Sequence, residues 1–170
     1  MPNNVGPYKR LFPEKHIAYI LSAILQIDIR KKTRHEGENR ITNRLGKKLG
    51  EVKKFRDGPL DVRIRPEIPS PESDDDSVIG EIDMLVSCGL GTEVYFAIEA
   101  KRLRYSFPSG KSETGNSEYV GKDGMMCFVT GKFAPFMRSG AMLGYVFDGD
   151  IERPVPVLAS LSERKRIHFG

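Results

Sequence analysis

Two carboxylates and one lysine stand out in the middle of the chain because they interrupt otherwise apolar segments. Asp83 lies in VIGEIDMLVS, and Glu99 and Lys101 lie at the end of TEVYFAIEAK. Both segments alternate apolar and other residues with a period close to two, which predicts β-strands. Charged groups on such strands are costly to bury without partners. The three residues are therefore expected to form an ion site or a paired cluster.

The same alternation predicts which side chains share a face. In the second segment, Glu99 and Lys101 fall on one face. In the first segment, one face carries Glu81, Asp83 and Leu85, and the other carries Ile82, Met84 and Val86. The residues CGLG between the segments predict a hairpin. If the acids lie on the same face of this hairpin, Asp83 and Glu99 converge within reach of one cation.

Two hard carboxylate ligands suit Mg²⁺ or Mn²⁺ better than Zn²⁺, which prefers nitrogen and sulfur. Such an ion can polarise a phosphodiester and lower the pKa of a bound water, while a nearby lysine orients that water or stabilises developing charge. A Glu-x-Lys triplet alone is weak evidence, because the triplets that start at Glu51 and Glu163 match it too. Those two fall in charged segments predicted to be helical, without a preceding strand to bring a second acid.

The surrounding pattern predicts an α/β fold with a mixed central β-sheet of about four or more strands flanked by helices. The first helix carries an apolar stripe of Ile17, Ile20, Leu21, Ile24 and Leu25. The later helix is expected to cross over between neighbouring strands, with Phe128, Val129, Phe133 and Phe136 in the core. In order, the predicted elements are helices at 14–29 and 36–55, strands at 60–68, 78–87 and 92–101, a loop at 106–118, a helix at 117–133 and a strand at 141–147.

Size and composition predict one domain spanning residues 1–170. The 170 residues, 39% of them hydrophobic, suffice for one core. No apolar run approaches the roughly 18 residues that span a bilayer, and MPNNVGPYKRLF lacks the apolar stretch of a signal peptide. A soluble, cytoplasmic protein with no membrane partner is expected. Residues 1–35 are assigned to an N-terminal supporting helix and 153–170 to a C-terminal extension around a core at about 36–147.

The spacing G-E-I-D, fifteen residues, then E-A-K resembles the motif of the PD-(D/E)xK, or restriction-endonuclease-like, nuclease superfamily. In that superfamily a helix precedes three strands, and a further helix and strand complete the core. The resemblance covers residues 36–147 and implies that Asp83 and Glu99 are metal ligands and Lys101 is the catalytic lysine. Ile82 stands where the namesake motif has proline. The segment from Tyr119 to Ala134 also resembles the later core helix of defence-associated and uncharacterised bacterial nucleases of this superfamily.

Many members add an acid from the first core helix, and this chain offers Glu36 and Glu38. At about 100° per residue, Glu38 lies roughly 20° from Leu45, whereas Glu36 lies roughly 140° from Ile41. Glu38 is therefore expected to face the sheet as a further metal ligand, and Glu36 to face solvent. The structural alternative for Glu38 is an acid that interacts with the helix dipole.

The basic residues are concentrated in one block, although the net charge is only +4. From Arg30 to Arg56 there are eleven Lys or Arg and three Glu, whereas residues 67–83 hold seven acids and no base. The block suits a phosphate backbone, and the alternative is a solvated helix face. The residues predicted to bind nucleic acid are Lys47, Lys48, Tyr119, Lys122 and Lys132; for the last three, exposed lysine or packed tyrosine is the alternative.

These observations predict a metal-dependent nuclease that hydrolyses phosphodiester bonds with Mg²⁺ or Mn²⁺ and uses Glu38, Asp83, Glu99 and Lys101. DNA is favoured over RNA, with a protein partner or homodimer expected. The resemblance further implies a role in bacterial restriction or phage defence. Two alternatives remain open: a non-cleaving nucleic-acid-binding or assembly module derived from a nuclease fold, and a domain in which the acids and lysine form only a buried salt-bridge cluster.

Overall fold

The computed structural model of the chain describes residues 11–33, 35–70, 74, 76–89, 94–106, 109–133, 137–147 and 149–166. Within these residues, five strands form the main sheet and two form a small separate sheet. One pair in the main sheet is parallel and the others are antiparallel, which confirms the predicted α/β class with a mixed sheet. The strands are β1 (Asp61–Ile64), β2 (Glu67–Pro69), β3 (Val78–Glu81), β4 (Met84–Ser87), β5 (Tyr95–Ser106), β6 (Ser112–Thr114) and β7 (Ala141–Val146).

The first helix confirms the predicted element, but it buries a narrower stripe than predicted. Ile20 and Ile24 are buried, whereas Leu21 is exposed and Leu25 is 82% exposed. Each exposed leucine follows a buried residue by one position, which turns it by about 100° away from the contact. The helical elements are a 3-10 turn (Glu14–His16), α1 (Ile17–Gln26), α2 (Glu38–Glu51), α3 (Lys53–Arg56), α4 (Asn116–Tyr119), α5 (Met125–Val129) and α6 (Pro154–Arg166).

The second predicted helix, 36–55, is divided at Val52. This residue adopts an extended conformation with φ −69° and ψ 138°, so α2 ends at Glu51 and α3 begins at Lys53. The apolar stripe predicted for this helix is Ile41, Leu45, Leu49 and Val52; α2 buries the first three, and Val52 is partly buried. The N-terminus of α2 is thereby fixed against the body of the protein.

The predicted strands at 60–68 and 78–87 form one bent ribbon, so their prediction as unbroken strands is wrong. Strands β1 and β4 pair up to Ile64 and Met84, and β2 and β3 continue the same register from Glu67 and Glu81. Two hydrogen bonds cross the bend, from Arg65 N to Asp83 O (3.0 Å) and from Ile82 N to Pro66 O (3.1 Å). The half formed by β1 and β4 thus belongs to the main sheet. The half formed by β2 and β3 is an arm that leaves the main sheet beside Asp83.

The bend also reverses the predicted face of Ile82. Met84 and Val86 pack with Phe96 and Ile98 in the larger core. Ile82 instead packs on the opposite side of the sheet, in the cluster of Ile82, Ala97, Cys127 and Phe133. The prediction that Ile82 shares a face with Met84 is wrong, because strict alternation holds only where the backbone stays extended.

The chain between β5 and β7 forms the predicted crossover, since these two strands are parallel. It holds two short helices where one helix at 117–133 is predicted. Gly124 lies between them, and a Cβ there would meet Tyr119 O at 2.3 Å. The predicted loop at 106–118 includes β6, and the C-terminal extension includes α6. Phe133 is buried as predicted, Phe128 is partly buried, and the prediction for Val129 is wrong, since it is 59% exposed. Phe136 lies outside the described residues.

None of the helices in the described part of the chain is long and apolar enough to cross a bilayer.

Candidate functional site

The candidate site occupies a gap along one edge of β5. Strands β4 and β7 both pair with Ile98, so they lie on opposite edges of β5. Strands β6 and β7 both pair with Arg104, so they also lie on opposite edges. It follows that β4 and β6 share one edge, and that residues 99–103 lie between them.

Two carboxylates accept hydrogen bonds from backbone amides in this gap. Asp83, at the point where the ribbon bends away, accepts a hydrogen bond from Ala100 N at 2.8 Å through Oδ2. Glu38, in the first turn of α2, accepts one from Arg102 N at 2.7 Å through Oε2. Amides two residues apart on a strand point to the same edge of that strand. The carboxylates of Asp83 and Glu38 therefore accept the hydrogen bonds that the carbonyl groups of a neighbouring strand would otherwise accept. Both acids are thereby fixed to the same stretch of β5.

Glu99 and Lys101 project from the gap itself. Lys101 Nζ donates to Glu99 Oε1 at 2.6 Å. The Glu99 side chain is almost wholly buried, since the residue is 5% exposed, and its Oε2 has no hydrogen-bond partner among the described residues. Continuing the β4–β5 register by one residue places Asp83, which is 8% exposed, opposite Glu99. A buried acceptor without a partner is costly, so this oxygen marks a position suited to a bound donor or cation.

The acids repel one another. Burial, together with the charge of Asp83, raises the pKa of Glu99 to about 7, and Lys101 offsets only part of that rise. Burial also raises the pKa of Asp83 and of Glu38. Burial alone would lower the pKa of Lys101, but the hydrogen bond to Glu99 and the surrounding carboxylates raise it. The lysine therefore keeps its charge at neutral pH, and the acids favour a further positive charge beside them.

The donor set fits a hard cation. No group of three or more His, Cys, Asp or Glu in the described residues is arranged to hold a metal ion. Mg²⁺, however, is commonly held by only one or two carboxylates, with waters and substrate phosphates completing its coordination. Asp83 and Glu99 are compatible with that arrangement. The buried Glu99 Oε2 lacks a partner among the described residues, and the charges of the two carboxylates repel each other.

The prediction that Glu36 faces solvent is wrong. Glu36 is 6% exposed, forms an ion pair with Arg44, and accepts a hydrogen bond from Lys32 N at 2.9 Å. The hydrogen bond from Arg44, with smaller contributions from Lys32, lowers the pKa of Glu36 to about 2. The helical angle misleads because α2 begins only at Glu38, with Gly37 extended before it. Glu36 thus fixes the segment before α2 and lies apart from the gap.

The two lysines predicted on α2 differ in their contacts. Both are exposed, but Lys48 Nζ donates to Asp28 O at 2.7 Å, and this bond ties α2 to the end of α1. Lys47 makes no polar contact with any described residue. Lys47 is therefore the better of the two to meet a phosphate.

The other predicted contact residues lie on the crossover. Tyr119 is partly buried; its hydroxyl donates to Met142 O at 3.1 Å, and burial raises its pKa. Lys122 and Lys132 are exposed, and Lys132 Nζ lies 5.4 Å from the centroid of the Phe133 ring. Burial raises the pKa of the Cys127 thiol, and the charges of Lys132 and Lys101 both act against this rise. Lys132 is thus electrostatically close to the site, whereas the contact of Tyr119 is structural; nucleic-acid binding by all three stays a prediction.

A buried polar pair beside the site escapes prediction from the sequence. Thr42 Oγ1 and Tyr145 Oη lie 3.0 Å apart, and Thr42 is fully buried one helical turn after Glu38. Burial raises the pKa of Tyr145 above its ordinary value, and the charges of Asp83 and Glu38 raise it further. The one available signal is the polar Thr42 within the apolar stripe of α2.

Comparisons of the chain with protein-family models, with curated proteins and with solved structures find no match.

Proposed function

We propose that the chain is a metal-dependent nuclease that hydrolyses phosphodiester bonds, with DNA as the favoured substrate and Mg²⁺ or Mn²⁺ as cofactor. The observation that carries the proposal is the gap in the edge of β5. There the carboxylates of Asp83 and Glu38 are fixed by two amides of β5 beside Glu99, whose buried Oε2 has no partner in the part of the chain that the structure describes. The element order, with α2 before the bent ribbon and β5 and a crossover leading to β7, is compatible with a restriction-endonuclease-like core.

In this proposal, Asp83 and Glu99 bind the cation and Glu38 lies beside them as a third acid. A bound divalent ion would supply Lewis acidity toward a phosphoryl oxygen and would lower the pKa of a bound water. The backbone hydrogen bonds to Asp83 and Glu38 restrict both carboxylates before any ligand arrives. Preorganisation of this kind reduces the reorganisation that catalysis would otherwise require.

Lys101 acts as a positively charged hydrogen-bond donor and not as a base. Its ammonium stays protonated at neutral pH, because its pKa is raised by the neighbouring carboxylates. Glu99 Oε1 orients it at 2.6 Å. The ammonium can then donate a hydrogen bond to the negative charge that develops on the phosphate or orient the attacking water.

The proposal is tested by incubating the purified chain with plasmid DNA, single-stranded DNA and RNA in Mg²⁺, Mn²⁺ or chelator. Wild type should cleave only with the metal, and Asp83→Ala and Glu99→Ala should abolish cleavage. Asp61→Ala is the matched control, because Asp61 is an exposed carboxylate in the same sheet. Unimpaired cleavage by both site variants would refute the assignment.

The same preparation separates the two alternatives. A chain that binds nucleic acid but never cuts it would be the non-cleaving module. A chain that binds neither metal nor nucleic acid, and that loses stability in Asp83→Ala, would have a structural salt-bridge cluster. A role in restriction or phage defence, a protein partner or homodimer, and a cytoplasmic location stay predictions.

A further inference from the structure

The bend of the ribbon contains a residue with an unfavourable backbone conformation. Arg65 has φ +52°, and within the described residues every other positive φ belongs to glycine. A side chain in this region costs free energy that glycine avoids and asparagine largely avoids. The backbone amide of Arg65 donates to Asp83 O at 3.0 Å, a bond that glycine or asparagine would make equally well. The bend therefore does not by itself call for arginine.

The ion pair of Arg65 does not account for the arginine either. Arg65 Nε donates to Glu81 Oε1 at 2.6 Å, and both side chains are partly exposed. Pairs of this kind contribute little to stability, because water screens them. The pair uses Nε, and the two terminal nitrogens of the guanidinium make no hydrogen bond to any residue that the structure describes.

The position of Arg65 relates it to the site. The continuous ribbon register places Arg65 opposite Asp83. Its charge is close enough to lower the pKa of Asp83 against the larger effect of burial. Arg65 is thus a cation at the rim of the gap, and its Nε is held by Glu81. The two terminal nitrogens of its guanidinium form a fork of donors that matches the geometry of a phosphate.

We propose that Arg65 binds a phosphate of the nucleic-acid substrate next to the scissile group, and that Glu81 positions its guanidinium by holding Nε. This inference rests on the proposed function, since it assigns a substrate contact at the same site. It explains why a long cationic side chain occupies a backbone position that favours glycine. It also places a positive charge where the arm of β2 and β3 begins. The acidic residues of that arm would otherwise repel a phosphate backbone.

The test measures stability and binding separately. Thermal unfolding and binding of a fluorescein-labelled DNA duplex in chelator, across a range of salt, are compared for wild type, Arg65→Gly and Arg65→Asn. The control is Arg138→Gly, which removes an exposed arginine on a different segment of the chain, beside Phe12 and Phe96. Arg65→Gly should unfold at the same or a higher temperature, yet bind DNA about tenfold more weakly. Its salt dependence should fall by about 0.9 log units per log unit of salt, as expected for one lost phosphate contact.

The conservative variants sharpen the result. Arg65→Lys should keep the salt dependence but lose part of the affinity, because an ammonium lacks the fork. Glu81→Gln should bind at least as well as wild type, because the amide oxygen still accepts from Nε and a negative charge is gone.

Four outcomes would overturn the inference. Equal DNA binding by wild type and Arg65→Gly would overturn it while leaving the proposed function intact. Lower unfolding temperatures in both Arg65→Gly and Arg65→Asn, or equal losses of binding in Glu81→Gln and Arg65→Gly, would show that the pair is structural. A wild type that neither binds nor cleaves nucleic acid would overturn the proposed function with it.

Discussion

The buried carboxylate of Glu99 makes the stability of the metal-free protein depend on pH in a direction that one substitution tests. Burial, reinforced by the charge of Asp83, raises the pKa of Glu99 from 4.5 to about 7. Because the folded chain holds this proton more tightly than the unfolded chain, protonation stabilises the fold. That contribution is fully present below about pH 4.5 and is lost as the pH rises through about 7.

The size of the effect follows from the two pKa values. At about 1.4 kcal/mol per pH unit, the displacement from 4.5 to about 7 is worth roughly 3 kcal/mol. Roughly 2 to 3 kcal/mol of this is lost between pH 5 and 8. With a urea m-value of about 2 kcal/mol/M, the unfolding midpoint of wild type should fall by about 1 M over that range. Glu99→Gln has no proton to lose at this position, so its fall should be smaller by that amount.

Other ionisable groups with shifted pKa values are present in both proteins. Burial raises the pKa values of Asp83 and Glu38, which also makes stability fall as the pH rises in both. Burial and nearby lysines lower the pKa of His16, which acts in the opposite direction in both. The difference between the two pH profiles therefore reports the titration of Glu99 together with its coupling to Asp83.

The assay is urea unfolding of wild type, Glu99→Gln and the exposed control Asp61→Asn at four pH values from 5 to 8 in chelator. Asp61→Asn should follow wild type. Adding Mg²⁺ at pH 8 should stabilise wild type more than Glu99→Gln, because the cation takes the place of the lost proton. Parallel pH profiles for wild type and Glu99→Gln would refute the reasoning.

Three further predictions test separate parts of the structure. Lys101→Ala should keep metal affinity, measured by calorimetry, but lower the single-turnover cleavage rate by about 10²-fold or more; a loss of metal affinity would instead indicate a structural ion pair. Arg44→Ala should lower the free energy of unfolding in urea by roughly 3 kcal/mol, because it leaves Glu36 buried and unpaired, and unchanged stability would contradict this. Lys47→Gln should reduce the salt dependence of DNA affinity by about 0.9 log units per log unit of salt. Lys48→Gln should reduce it less, because the ammonium of Lys48 is held by a backbone carbonyl. The reverse order would show that Lys47 faces bulk solvent in the complex.

Much of the fold could be predicted from the sequence because its signals are local. Alternation identified β5 up to Lys101, the segment AMLGYVF was predicted as the strand that forms β7, and an apolar stripe identified α2 and its buried face. The same rules failed wherever the chain departs from a regular conformation. Val52 divides a helix, a close backbone approach at Gly124 divides another, and the bend at Arg65 divides a ribbon. The bend at Arg65 is held by a hydrogen bond to the distant Asp83 O, a contact that a local pattern does not contain.

For the candidate site, the sequence by itself determined which residues carry the charge. Glu99 and Lys101 are neighbours on one face because strand geometry fixes a period of two, and the structure pairs them at 2.6 Å. The helical angle of Glu38 directed it toward the sheet, where it meets Arg102 N. The same angle failed for Glu36, because that residue precedes the helix.

Only the tertiary structure decided how those charges are held. The opening on β5 exists because β4 and β6 pair with different stretches of the same edge, and residues 99–103 are left between the two pairings. Asp83 and Glu38 reach that opening from a bent ribbon and a separate helix, and they accept the amides that no strand covers. Burial then raises the pKa of Glu99 and leaves its Oε2 without a partner in the described ranges of the chain. Desolvation and unmet hydrogen bonds are properties of the packed chain, because they depend on which atoms surround a group and not on its neighbours in sequence.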